Sequence, residues 1–215
     1  MTSIPVSHPL TTPAGDDLAQ VQRQRKRVVL VAGLLVLALV LCTRSVWSAD
    51  LHELAETIGY GLIFLCIAGR CWSALYIGGR KKTQLVAEGP YSISRNPLYL
   101  FSLLGSIGVG LQSGSLTVAV MLGLLVFGVF HTVILREEAF LRSRFPVEFA
   151  AYAGRVPRWG PRLSRWQSSE ELLVRPRLVL LTFRDALWFI AAVPVMEAVE
   201  MAQRANWLPV LLHLP

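Results

Sequence analysis

The chain has 215 residues, of which 53% are hydrophobic and only 16% charged, against roughly a quarter charged in an average soluble domain. The apolar residues gather into uncharged blocks separated by basic stretches, which excludes an ordinary soluble core and points to an all-α integral membrane bundle. A net charge of +7 would suit nucleic acid, but the basic residues follow membrane topology and no nucleic-acid partner is required.

Taken in chain order, the first 20 residues carry Pro5, Pro9, Pro13, Gly15, Asp16 and Asp17 without apolar periodicity. They read as a disordered tail and not as a signal peptide, whose apolar region would fall there. Val28 to Thr43 is a run of 16 uncharged residues, about 24 Å at the helical rise, with Trp47 just beyond to sit at an interface. Thr57 to Gly79 gives 23 residues broken only by Arg70. Pro97 to Leu111 and Leu116 to Leu135 flank Gln112-Ser-Gly-Ser115 and read as a tight helical hairpin. Leu178 to Met196 makes a fifth span, with Pro194 expected to kink or end it. Trp207 to Pro215 is too short to cross and reads as an interfacial anchor. Cys42, Cys66 and Cys71 all lie in apolar blocks, with no metal-site or disulfide spacing, and read as small core residues.

The charges test this topology, because Lys and Arg concentrate on the cytoplasmic side. Residues 21–27, 80–96 and 136–177 hold four, four and nine of them, leaving only Arg44 and Arg204 for the other side and Arg70 and Arg184 within spans. The poorer side carries Asp50, Glu53, Glu56 and Glu200. The N-terminus and the 80–96 and 136–177 segments are therefore assigned to the cytoplasm. The intramembrane arginines should face the interior, pair or line a cavity. Arg70 suits either tying spans together or meeting an anionic acceptor, and Arg184 need not pair with its neighbour Asp185, since adjacent helical residues point apart.

Two segments at this boundary are dense in polar and turn-forming residues. In Glu88-Gly-Pro-Tyr-Ser-Ile-Ser-Arg-Asn-Pro-Leu-Tyr99, Gly89-Pro90 makes a turn and Asn96-Pro97 a helix start, Asn as N-cap and Pro at the first helical position. Such a start exposes backbone N–H groups suited to an anion, although Asn96 also serves simply as a cap. In Arg136-Glu-Glu-Ala-Phe-Leu-Arg-Ser-Arg-Phe145, the fourth helix continues past the membrane with His131, Leu135, Glu138 and Arg142 on one face. Glu138 and Arg142 are spaced to pair; the adjacent carboxylates Glu137 and Glu138 suit ribose hydroxyls or an ammonium group. His131 alone reads more readily as a satisfied polar residue of the bundle than as a catalyst.

Together, Gly-Pro-Tyr-x-x-x-Arg-Asn-Pro-x-Tyr at 89–99, Glu-Glu-x-x-Leu-x-x-x-Phe at 137–145 and Tyr-x-x-Arg-Val-Pro-Arg at 152–158 resemble the isoprenylcysteine carboxyl methyltransferase family, whose wider relatives include phospholipid N-methyltransferases. The resemblance covers about residues 57–162. It implies an S-adenosylmethionine-dependent methyltransferase with its cofactor pocket at the cytoplasmic boundary of about five transmembrane helices. It also implies cofactor binding by Tyr91, Arg95, Asn96, Pro97, Tyr99, Glu137 and Glu138, with Tyr152 and Arg155 from the downstream motif. Many relatives have His where this chain has Asn96, which keeps a hydrogen bond but is no titrating base at neutral pH. Gly108-Val-Gly110 lacks the third glycine and the strand–turn–helix setting of a dinucleotide fingerprint and receives no cofactor role.

On this division, 1–27 is a tail with a basic juxtamembrane cluster and 28–56 the first helix and external loop. Residues 57–177 form the methyltransferase-like core, and 178–215 the last helix and anchor. The expected partners are the bilayer and a lipidic or small-molecule methyl acceptor: a prenylcysteine carboxylate, a lipid amine or a small thiol. An NADPH-dependent membrane reductase and a noncatalytic scaffold or transporter are the rival functions. The sequence leaves open the acceptor, any catalytic base and the oligomeric state.

Overall fold

The computed structural model describes residues 31–215 apart from positions 32, 35, 36, 39 and 79–83. The N-terminal tail, the basic cluster at 21–27, positions 79–83 and the start of the first expected span lie outside the described residues; the described positions between 31 and 42 are helical. Beyond them the order is β1 (Thr43–Ser45), α1 (Ala49–Ile77), α2 (Pro90–Ile93), α3 (Pro97–Leu111), α4 (Leu116–Arg144), α5 (Pro146–Arg155), a 3-10 turn (Leu163–Arg165), α6 (Pro176–Arg204) and β2 (Leu212–Leu214).

The fold is an all-α membrane bundle. Among the described residues, α1, α4 and α6 are long and apolar enough to cross a bilayer, and α3 is a shorter apolar helix. Phe64, Leu124 and Trp188 are 73%, 65% and 76% exposed, an apolar surface that hydrocarbon, not water, accommodates. Inside, Ile63 of α1, Val109 of α3 and Val193 of α6 form one buried cluster, with Phe189 and Met196 against it. Small residues let α1 and α3 approach closely: a Cβ added at Gly108 would lie 2.7 Å from the Gly59 carbonyl oxygen and 3.0 Å from Leu62 Cβ.

Several expectations shift. Of the two outcomes expected at Pro194, an end is excluded: helix α6 runs through it to Arg204. In the last segment β2 pairs in parallel with β1, Thr43 opposite Leu212, and the Gln203 side-chain amide donates to the carbonyls of Val40, Leu41 and Thr43. Backbone groups of the last residues are thereby satisfied against the end of the bundle. Arg184 does pair with Asp185, at 3.3 Å, both side chains being exposed and free to bend toward each other. Arg70 donates to Ser102 Oγ of α3, so the interior arginine ties two helices. The cysteines are free thiols, Cys66 buried.

Helix length positions the site. Helix α3 has 15 residues and α4 has 29, about 22 Å against about 44 Å. Joined by the tight turn at 112–115, they start level at one end. At the other, α4 projects well past Pro97, and the space above the start of α3 is filled by α2, α5 and the loops around them.

Candidate functional site

The site is assembled at that step. Helix α5 begins with Pro146 at its first position, directly after α4, and turns the chain back over the bundle. Phe149, Tyr152 and Val156 are buried there against Leu85, Leu141 and Phe145. The loop after α5 then passes alongside the 89–96 segment: Arg95 N–H donates to the Pro157 carbonyl at 2.9 Å, and Arg162 N–H to that of Ile93 at 2.9 Å.

Glu138 is the node that joins these pieces. It is 5% exposed. Its Oε1 accepts from Arg95 Nε at 3.0 Å and Asn96 Nδ2 at 3.3 Å, and its Oε2 accepts from Arg158 Nη2 at 2.8 Å and Nε at 3.1 Å. The remaining Arg95 nitrogen Nη1 donates to the carbonyls of Ala153, at 2.9 Å, and Val156, at 2.8 Å. A carboxylate so buried is tolerable only because two guanidinium groups and an amide saturate it. The hydrogen bond to Glu138 raises the Arg158 pKa further, against a smaller opposing effect of burial.

This arrangement changes two local expectations. Glu138 does not pair with Arg142 one turn on; Arg142 lies over the Phe149 ring, 5.9 Å from its centroid. Asn96 occupies the N-cap position of α3 without a side-chain cap hydrogen bond; its Nδ2 instead donates to Glu138 and, at 3.1 Å, to the Arg158 carbonyl. Pro97 stands at the first helical position as expected.

In front of this node lies a cavity of about 290 Å³, lined by Tyr91, Arg95 and Tyr99 from one segment and Arg136 and Glu137 from the other, with Tyr152 from α5. Leu85, Val86, Leu98, Phe140 and Leu141 give it an apolar wall, the usual character of a small-molecule site with a few convergent polar groups. Tyr99 Oη donates to Glu137 Oε1 at 2.9 Å, fixing that carboxylate at the wall. Tyr152 Oη donates to the Tyr91 carbonyl at 2.7 Å. Burial, then neighbouring charges, push the Tyr91 phenol well above its ordinary value; burial also raises that of Tyr152. Both are neutral at physiological pH. The Tyr91 hydroxyl is buried without a hydrogen-bond partner, an expensive state for a polar group unless something else uses it.

Five of the nine site residues expected from sequence thus line one cavity. Asn96 and Glu138 stand behind it, Pro97 starts the helix beneath it, and Arg155 faces a smaller recess with Ser92, Arg165 and Gln167. His131 Nδ1 accepts from Trp159 Nε1 at 3.4 Å, and its ring stacks on Phe127, as a satisfied bundle residue does. Two functional candidates were missed. Arg158 closes the 152–158 motif, so its signal was present; Arg136, exposed at the rim of the cavity, directly precedes the paired glutamates, but nothing in its spacing placed it there.

A family model for phospholipid methyltransferases matches residues 27–148. The nickel-cobalt-cadmium resistance protein NccN of Alcaligenes xylosoxydans xylosoxydans is 40% identical over 159 residues, 74% of each chain. The cobalt-zinc-cadmium resistance protein CzcN of Cupriavidus metallidurans is 36% identical over 214 residues, 99% of this chain and 98% of its own. No solved structure matches the chain. The chain belongs to the phospholipid methyltransferase family.

Proposed function

We propose that this member of the phospholipid methyltransferase family transfers a methyl group from S-adenosylmethionine to an acceptor that reaches the site from the membrane. One observation carries the proposal. The cavity collects tyrosines, arginines and a carboxylate from two distant segments, and a buried, unpartnered Tyr91 hydroxyl borders it. The residues fit the donor's chemistry: Glu137 suits ribose hydroxyls or the ammonium group, Arg136 the carboxylate, and the Tyr91 hydroxyl one further polar atom. Arg95, whose donors serve Glu138 and two carbonyls, holds the site's shape and contributes positive potential to its wall.

When bound, the sulfonium donor supplies an activated methyl group. The protein's task is then alignment and exclusion of water, and alignment alone accounts for up to roughly 7–11 kcal/mol of barrier in favourable cases. The apolar wall from Leu85 to Leu141 excludes water and borders the bilayer, through which a lipidic acceptor would enter. A carboxylate or thiolate acceptor needs no base, which agrees with Asn96 where a titrating His would otherwise stand. We place the cavity on the cytoplasmic side, where the sequence concentrates Lys and Arg. From the names of the two relatives comes the further proposal that methyl transfer contributes to tolerance of divalent transition metals.

The test is equilibrium binding of S-adenosylmethionine by the full-length protein in lipid nanodiscs, followed by transfer of a tritiated methyl group in native membranes with mass spectrometry of the labelled product. Saturable binding and a labelled acceptor are expected. Saturable NADPH binding without S-adenosylmethionine binding would move the chain to the reductase class.

A further inference from the structure

The end of the bundle opposite the methyl-transfer cavity carries its own constellation. His52 and Glu56 lie one turn apart near the start of α1, and Glu200 comes from the last turns of α6. His52 Nε2 is 3.3 Å from Glu56 Oε1 and 3.6 Å from Glu200 Oε1. One ligand atom from each of the three residues lies within 4.8 Å of the others. A tetrahedral site with metal–ligand bonds of 2.0–2.1 Å has ligand atoms about 3.4 Å apart, so both measured separations match its edges.

Three further observations favour a ligand there. The His52 Nε2 atom is shielded from solvent and has no hydrogen bond, although two carboxylates face it. The ring is held in place: it fills the space where Gly114, at φ +64, would carry a Cβ, and Ser45 Oγ donates to the Gly114 carbonyl at 2.7 Å. Two of the three, His52 and Glu200, also line a cavity of about 310 Å³ together with Glu53, Gln112 and Arg204, giving access and room for water ligands. Arg204 pairs with Glu200 Oε1 at 2.6 Å, so an incoming cation must compete with a guanidinium that is itself largely exposed.

The geometry points to a divalent transition-metal site formed by His52, Glu56 and Glu200, with solvent completing the coordination. One imidazole and two carboxylates suit Zn²⁺, Co²⁺ or Ni²⁺ better than Mg²⁺ or Ca²⁺, which take oxygen-only sets. His52 and Ile77, the α1 residue that lines the methyl-transfer cavity, are about 37 Å apart along the helix, so the site is separate from that cavity and does not rest on that function.

Full-length protein with any purification tag removed, reconstituted in nanodiscs, is titrated with Co²⁺ and Zn²⁺. Co²⁺ should bind one per chain with visible ligand-field bands, Zn²⁺ should displace it, and excess Mg²⁺ should not. His52→Gln and Glu200→Gln should each weaken binding at least about 100-fold, the upper end of what outer-shell partners contribute. His213→Gln, on β2 at the same end, should leave it unchanged. Monodisperse elution and an unaltered melting temperature of the metal-free variants would establish that they fold. Absence of stoichiometric Co²⁺ binding by the wild-type chain, or binding equal in His52→Gln and wild type, would overturn the site.

Discussion

Tyr99, in the first turn of α3, donates its phenolic hydrogen to Glu137 of α4 across 2.9 Å at the cavity wall, while the adjacent Glu138 turns away into its arginine cage. Consecutive carboxylates on one helix therefore have different tasks, because neighbouring side chains diverge by about 100° around the axis. One lines the cavity; the other holds the surrounding loops.

If Glu137 contacts the donor, Tyr99→Phe should weaken S-adenosylmethionine binding without loss of fold. A hydrogen bond to a charged group is worth about 1.5–3 kcal/mol, or roughly a tenfold to hundredfold rise in Kd. Isothermal titration of the nanodisc protein measures it. Unchanged affinity in both Tyr99→Phe and Tyr99→Ala would remove this pair from the site.

The Glu138 node should behave as structure. Glu138→Ala leaves Arg95 buried without its carboxylate and should cost about 3–5 kcal/mol of stability. Arg158→Ala should cost less, since Arg95 remains on Glu138 and Arg158 is 33% exposed. Thermal unfolding in nanodiscs compares the two. A smaller drop for Glu138→Ala than for Arg158→Ala would contradict the network.

Tyr91→Phe separates ligand binding from folding. Removing a buried, unpartnered hydroxyl should leave the melting temperature equal or higher, because its desolvation penalty of about 1–3 kcal/mol disappears. The same change should reduce donor affinity. A marked loss of stability would show that the hydroxyl has a structural partner.

Tyr91 and Tyr152 also set an alkaline limit. Both phenols are raised in the folded protein above the ordinary value of 10.0, so above that value the unfolded chain loses protons first and stability falls with rising pH. It is fully present below it. Denaturation followed above about pH 10 should show a shallower decline in Tyr91→Phe than in wild type; an equal slope would assign the alkaline loss to other groups.

Gly89→Ala should disrupt the site from a distance. Gly89 has φ +57, its N–H donates to the Gln167 carbonyl at 2.7 Å, and the Tyr76 ring occupies the place of an added Cβ. An alanine is strained there and displaces Tyr76, so in place of the roughly 0.4–1 kcal/mol of stabilisation that a benign Gly-to-Ala change brings, a destabilisation larger than that is expected. Limited proteolysis in the 160–175 loop should accelerate relative to wild type.

By itself the sequence determined the membrane class, the apolar helices from α1 to α6 and the two segments that meet at the cavity. Uncharged runs of sufficient length have few alternatives to helices in hydrocarbon, and Gly-Pro and Asn-Pro pairs punctuate the chain locally. The tertiary structure decided what each polar group does. Asn96 gives its amide to Glu138 and makes no side-chain cap, Glu138 passed over Arg142 for two arginines remote in sequence, and the chain end pairs with β1. The physical reason is common to all three: a buried polar atom takes whatever partner the packing brings within about 3 Å, and that partner depends on how far α4 outreaches α3, which local spacing does not encode. The same packing brought Glu200 of α6 beside His52 and Glu56 of α1, a meeting of residues over 140 positions apart along the chain.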